Sequence, residues 1–591
     1  MGRNRVNRTP EEQLAFTQQQ RQRAVERQRQ RRAEARQNNM QEVRNRRINT
    51  NTPIINRHYI GKMDVKCMHC NAKHFAAERV CNRGNSFSDC CSHGSVKLER
   101  HPEFPTELKS LFQNTHSNSS NFFAHIRNYN SLMSFASFNA NLFNFPSNRP
   151  APYCFKIQGQ IYYQMNTALY HNDNEKPSFG QLYIIDPEES VDVRFSENRH
   201  LDYTIINSLE KTIRENNVFA KSYEMMKQEI QLQKEYASSN NENEPEMRLL
   251  FTLKPGMDQR RYNFQRTNEV AAVFTMTADG DIPASYVTIR NTNTKKLQTI
   301  SCMDPCVEPW IYPLLYPYGN KGWHQNILRT DNNNRRVTRN GYAKYLIAIR
   351  DDIFNPFILA RRLFQQWLVD TYVKIERDRI TYLRNNQKQL RVDSYQGLID
   401  HMQNRAENLN CRVGKMIILP STFIGSPRHM MQSYQDAMAI VRKYGKPDLF
   451  ITMTTNTNWP EIQENLLPGQ TAADRPDLCA RVFDIKKNHL IDLVTKGKLF
   501  GETAAHVHVI EFQKRGLSHL HLLLSLKQNC KLKTPENIDK FISAEIPDPS
   551  LDPELHEIVT KNMIHACGDW CQVDGMCSKH FPAAFQKNDY N

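Results

Sequence analysis

"EFQKRGLSHLHLLLSL", Glu511 to Leu526, is the stretch on which the fold turns. Side chains alternate faces along a strand, so His519 and His521 point the same way, about 6.5–7 Å apart at the backbone, in an otherwise apolar run. Such a pair offers two ligands to one ion. The pattern by itself says little in a chain with 20 histidines, and a second copy, His506-Val507-His508, lies just upstream. The surroundings have to separate the two copies.

Upstream, "AHVHVIEF" (505–512) alternates as a strand, and the intervening "QKRGLS" contains Gly516, so the two segments read as a β-hairpin. Parity then decides the chemistry. If Glu511 pairs with His519, Val509 pairs with His521, and the carboxylate joins both imidazoles on one face. A slip of one residue sends Glu511 to the other side. Two imidazoles and one carboxylate leave coordination positions open for a water or a phosphate oxygen, as a catalytic metal requires. Magnesium or manganese suits a site that must also hold phosphate oxygens. A further strand starts at Leu449 in "LFITMTTNTNWPEI". Thr454, Asn456 and Asn458 at its polar end are candidates to hold a DNA backbone, with a plain turn as the alternative. Lys514 and Arg515 in the hairpin loop are added to that DNA-binding set.

The rest of the chain sets bounds. It has 591 residues and net charge +16, room for about three to five domains. Residues 1–50 hold 13 Arg and 5 Glu, a net +8, in a segment with little to bury: a disordered arm or solvated helix drawn to phosphate, and a possible nuclear-import signal. No run is long and apolar enough to span a bilayer, and no hydrophobic signal region follows the first charges, so an intracellular chain without a membrane partner is expected. The cysteines concentrate in two short clusters, which favours metal over disulfides. In the first, Cys67 and Cys70 form a Cys-x-x-Cys knuckle, with Cys90 and either Cys91 or His93 to complete a tetrahedral zinc site.

A long helix is expected through "FNPFILARRLFQQWLVDTYVKIERDRITYLRNNQ", with Asn355 as N-cap and Pro356 in first position. Ala360, Leu363, Phe364, Trp367 and Leu368 form its core stripe. Arg361, Arg362, Arg377, Arg379 and Arg384 read as its solvated face.

Several long phrases carry a resemblance: "PSFGQLYIID", "YPLLYPYGNKGW", "LFQQWLVDTYVKIERDRITYLRNNQ", "LPSTFIGSPRHMMQSYQDAMAIVRKYGKPDLFIT", "NWPEI" and "IEFQKRGLSHLH". Over roughly residues 150–591 the chain resembles the helicase-like N-terminal region of Helitron rolling-circle transposases. The "CMHC" to "CCSHG" segment is similar to that family's zinc-finger-like beginning. The resemblance implies a His-hydrophobic-His (HUH) endonuclease. In such enzymes two histidines hold a divalent metal against a scissile phosphate of single-stranded DNA, and a tyrosine attacks to leave a 5′-phosphotyrosine. Those metal-ligand roles pass to His519 and His521, with Glu511 as third ligand. The C-terminal "MIHACGDWCQVDGMCSKHFP" also follows the family pattern. His565, Cys567, Cys571 and Cys577 have the number and type of ligands for a second zinc, with His580 as substitute.

The chain departs from the family in places. After His521 its only tyrosine is Tyr590, so the nucleophile is not transferred, and no Walker A sequence occurs. The catalytic tyrosines and helicase are expected to be absent from this chain, which is expected to be inactive in covalent cleavage unless more chain follows, with a downstream helicase in a longer chain as a partner. Thr455 and Thr457 stand where Cys and Pro are usual, and Thr422 where Ser is common.

The expected fold is α/β of the α+β kind, with an HUH-type antiparallel sheet and packing helices in the C-terminal third. The expected divisions are a basic arm (1–55), a zinc-finger-like module (56–105), a mixed accessory region (106–340), a helical scaffold (341–434) and a nuclease core (435–591). The expected function is binding of single-stranded DNA and a divalent metal for strand cleavage and transfer in the nucleus. The alternative is an inactive, host-retained DNA-binding protein that works through its zinc modules and basic arm. A third reading, a zinc hydrolase, would also recruit His506 and His508.

Overall fold

The computed structural model describes residues 58–80, 82–99, 102–142, 154–171, 175–240, 247–250, 272–275, 288–290, 297–331, 334–387, 419–513, 516–539, 541–542, 546–565, 571–573 and 576–578. Met1–Tyr59 and Ile60–Asn591 separate as two units. Only the second is considered below, because the basic arm lies outside the described residues.

The second unit opens with two short antiparallel strands, β1 (Val65–Lys66) and β2 (Lys73–His74), followed by a one-turn helix α1 (Ser88–Cys91). Asn71 closes the β1–β2 turn at φ 58°, a left-handed conformation that Asn tolerates better than most residues. A large middle body follows. It contains α2 (Ser119–Ala124), the sheet of β3 (Ser137–Leu142), β4 (Ile157–Asn166) and β8 (Leu297–Thr299), α3 (Tyr203–Asn216) and α4 (Val218–Asn240). A second small sheet is built from β5 (Met247–Leu250), β6 (Ala272–Thr275) and β7 (Thr288–Arg290). The body's core is aromatic and encloses a polar knot around Asp370. Asp370 accepts from Tyr163, from Tyr312 at 3.0 Å and from Lys374 at 2.9 Å. Several donors on one buried carboxylate are what makes it tolerable in an apolar interior.

The scaffold helices are α5 (Arg339–Ile347), α6 (Pro356–Leu359) and α7 (Arg362–Asn385). Asn355 caps α6 as expected, its side chain accepting from the N–H groups of Phe357 and Ile358. The single long helix expected from sequence is, however, broken after one turn, and Arg361 sits in the break at φ 47°, ψ −112°. The physical reason lies in the core. Residues ten apart in a continuous helix lie about 15 Å apart along its axis, yet the rings of Phe357 and Trp367 meet at 4.7 Å. Breaking the helix lets both bury in one place.

The C-terminal part contains α8 (Pro427–Tyr444), β9 (Leu449–Thr454), α9 (Pro476–Thr495), β10 (Thr503–Phe512) and β11 (Ser518–Leu526), then the small hairpin β12 (Gln572–Val573) and β13 (Met576–Cys577). Its main sheet is antiparallel in the order β10-β11-β9. Alternation sorts β11 by face. Leu520, Leu522 and Leu524 are fully buried, packing with Phe483 and Val494 of α9, and Leu449 joins them. The other face is open. Four apolar side chains of α8, Met430, Met431, Tyr434 and Met438, are also exposed. The molecule is of the mixed α+β class expected from sequence, with helices around small antiparallel sheets.

Candidate functional site

The β10–β11 turn is closed by Gln513 N–H donating to Leu517 O and Gly516 N–H donating to Gln513 O. Gly516 has φ 74°, and a Cβ there would lie 2.8 Å from Cys154 Sγ, so both conformation and space call for glycine. This turn gives a register with Glu511 opposite His519 and Val509 opposite His521. All three candidate ligands therefore share the open face of the sheet. On the other side of β11, Thr454 pairs with His519 and Thr452 with His521.

Contacts within that face orient the two rings differently. Thr454 Oγ1 lies 2.7 Å from His519 Nδ1, and Gln513 Nε2 lies 3.4 Å from the same nitrogen. When His519 Nδ1–H donates to the threonine, Nε2 carries the lone pair that can bind a metal. His521 Nε2 stands 3.3 Å from Glu511 Oε2, and its Nδ1 is buried without a hydrogen-bond partner. Phe450 stacks on the His521 ring at 5.3 Å, and the two imidazoles meet edge to face at 4.5 Å. Two imidazoles and one carboxylate are donors that a divalent metal ion can accept, and the orphaned Nδ1 marks a polar atom awaiting a partner. Their ligand atoms are not all within 4.8 Å of one another, so the trio would have to draw in around an ion.

His506 and His508 lie across from Leu524 and Leu522, on the α9 side of the sheet. Their rings stack at 5.9 Å. Burial, with the nearby His506 and Lys487, lowers the His508 pKa. This pair is on the opposite face from His519 and His521.

At the end of β9, Asn456 shapes a turn, its Oδ1 accepting from Asn458 N–H at 2.9 Å, while Thr455 ties to Ser518 O through both N–H (3.0 Å) and Oγ1 (2.9 Å). Thr455 thus fastens the tip of β9 to the residue before His519. Asn458 lines a neighbouring cleft. Lys514 and Arg515 lie outside the described residues.

The first cysteine cluster draws together. Cys67, Cys70, Cys90 and Cys91 place their sulfurs within 4.8 Å of one another. Cys91 Sγ is 3.7 Å from both Cys67 Sγ and Cys90 Sγ. A zinc–sulfur length of about 2.3 Å makes the edge of a ZnS4 tetrahedron about 3.8 Å, so these four residues fit zinc. Electrostatics agree: hydrogen bonds from Cys90 and Cys91 hold the Cys70 thiol far below its ordinary range, while the hydrogen bond with Cys70, helped by burial, pushes Cys91 up to about 12. A bound cation would favour the thiolate form of all four. His93 is not in the cluster. Ser92 and His93 both take left-handed conformations, and the ring bonds Ser86 Oγ at 2.9 Å.

In the second cluster His565, Cys571 and Cys577 lie within 4.8 Å of one another, and Cys577 Sγ is 3.3 Å from His565 Nε2. Cys567 and His580 lie outside the described residues. Three nitrogen and sulfur donors at this spacing could hold a metal such as zinc.

Sequence reasoning missed Phe450 and Gln513, although strand parity, once β9 is paired with β11, puts Phe450 on the histidine face. It also took Arg361 for a solvated residue, whereas its guanidinium lies 3.7 Å over the Phe123 ring and its Nε is buried.

No curated protein matches the chain. Residues 342–524, a stretch that includes Glu511, His519 and His521, match the family model described as the Helitron helicase-like domain at N-terminus.

Proposed function

We propose that the chain is the N-terminal region of a Helitron-type rolling-circle transposase, and that the open face of β9–β11 receives single-stranded DNA and a divalent metal for phosphodiester cleavage. The observation that carries this reading is the register that gathers Glu511, His519 and His521 on one uncovered face. A magnesium or manganese ion there would neutralise charge developing on the scissile phosphate. His519 would bind through Nε2 with Thr454 fixing its ring, and His521 would be held between Phe450 and Glu511. The leucine face fixes the strand that carries both rings. The cysteine clusters serve as structural zinc sites, the nucleophilic tyrosine and helicase come from further chain, and the protein works in the nucleus, where its DNA is.

The test is cleavage of a labelled single-stranded oligonucleotide with manganese, comparing this chain, a version extended through the downstream reading frame, and the extended version carrying His519→Ala. The extended chain should cut, and His519→Ala should reduce cutting at least about 100-fold. Equal cutting by both would sink the assignment.

A second reading, a DNA-binding protein without nuclease activity, draws on the wider spacing of the trio compared with the cysteine clusters. It predicts that the extended chain retains the oligonucleotide without metal-dependent cutting.

A further inference from the structure

We infer that the apolar end of the open sheet face seats one nucleobase, with Phe450 as its stacking platform and Leu523 and Val509 as its rim. This rests on the nucleic-acid reading above and deepens it, by assigning the side chains that fix which nucleotide lies at the histidines.

Register divides the open face into rows. The first holds Glu511, His519 and Thr454, and the second Val509, His521 and Thr452. The third is Val507, Leu523 and Phe450, with no polar side chain among them. Successive same-face positions on a strand lie about 6.5–7 Å apart, so the apolar row begins one such step beyond His521. These side chains stand in water: Phe450 is 61% exposed, Val509 53% and Leu523 37%. Apolar side chains left together at the surface beside a polar site mark a place of binding.

The Phe450 ring lies within 7° of parallel to the His521 imidazole, with centroids 5.3 Å apart, the offset stacking that aromatic pairs prefer. One side of the phenyl ring is thus taken by His521, and its exposure leaves the other side open. A base laid there extends the column to three rings, base, phenyl and imidazole. Leu523, opposite Phe450, and Val509, opposite His521, border that column.

Chemistry selects the occupant. The apolar row offers neither charge nor hydrogen bond, so a phosphate gains nothing from it, whereas the flat face of a base does. The polar rows beside it suit the phosphate. Phosphate on the polar groups and base on a ring is how proteins hold single strands, and such stacking tolerates every base because each has a π-face. A duplex has no free base face along its length, so the same seat favours the single strand.

The experiment is fluorescence anisotropy on the full chain with manganese, using a labelled oligothymidylate and a base-free deoxyribose-phosphate oligomer of the same length. The variants are Phe450→Leu, which keeps an apolar side chain and removes the ring, and Phe450→Trp, which enlarges it. We expect Phe450→Leu to bind oligothymidylate about tenfold more weakly and Phe450→Trp to bind it at least as tightly as the wild type. On the base-free oligomer all three should bind alike. The log–log salt slope should be equal in all three, since no phosphate contact changes. Phe450→Leu should melt with the wild type, because the side chain is exposed. Wild-type affinity of Phe450→Leu for oligothymidylate overturns the inference and leaves the nucleic-acid reading standing. A loss of equal size on the base-free oligomer does the same, since the ring would then act through His521 and not on a base. A melting temperature well below wild type also overturns it, because protein would then cover the patch. Failure of the wild type to bind oligothymidylate overturns both.

Discussion

Thr454 is the residue on which the orientation of His519 depends. Its hydroxyl touches Nδ1 at 2.7 Å, and the side chain is exposed, so removing it leaves the core alone. Thr454→Val should lower metal-dependent cleavage by about 10–100-fold in a tyrosine-bearing extended chain, with higher manganese restoring part of it. Unchanged manganese dependence would count against an orienting role. Arg361 is a different case. Its backbone strain is worth about 1–3 kcal/mol, set against the loss of its stacking on Phe123. The shared face of His519, His521 and Glu511 was legible because strand parity is a local rule. Arg361 was not, because its conformation answers to Phe357, Trp367 and Phe123, neighbours that no local pattern announces.

Elements succeed or fail through the hairpin. Gly516→Ala meets both a left-handed φ and a sulfur 2.8 Å from the new methyl group. It should cost about 1–3 kcal/mol, read by thermal unfolding, with faster amide exchange along β10 and β11. Leu522→Ala removes a fully buried side chain beneath the histidine face and should cost about 2–5 kcal/mol. No loss of stability would mean that α9 does not pack there as described. The hairpin was readable from its glycine and alternation, and so was the capped start of α6. The end of α6 was not, since a break set by ring packing leaves no proline or glycine behind. The choice between Cys91 and His93 was likewise open in the sequence. Two left-handed residues after α1, neither of them glycine, turn His93 away.

At the scale of the molecule, the first cysteine cluster is tied to both the scaffold and α9. Lys73 N–H donates to Ile349 O, and Arg350 Nε donates to Cys70 O. Glu78 bonds His74 at 3.1 Å and is gripped by Arg481 of α9 at 2.7 and 2.6 Å. Burial alone would raise the Glu78 pKa, but the bonds from Arg481 and His74 outweigh it and bring it from the ordinary 4.5 to about 2. Because the folded value is the lower one, this stabilisation is whole above about pH 4.5 and fades as pH falls toward 2. It is worth on the order of 2–3 kcal/mol. Glu78→Gln should lower the melting temperature at neutral pH and flatten its decline over that acid window. A parallel pair of curves would contradict the coupling. Stripping zinc with a chelator should loosen α9 as well as the knuckle, measurable as faster exchange of the 476–495 amides.

Strand β11 carries the candidate ligands His519 and His521 on odd positions and the buried Leu520, Leu522 and Leu524 on even ones. An insertion or deletion of one codon between Ser518 and Leu524 would exchange the two sets downstream of it, putting imidazole into oil and leucine into water. Descendants of this gene can therefore vary their substitutions here far more freely than their length, and alignments of active copies should show this segment without gaps.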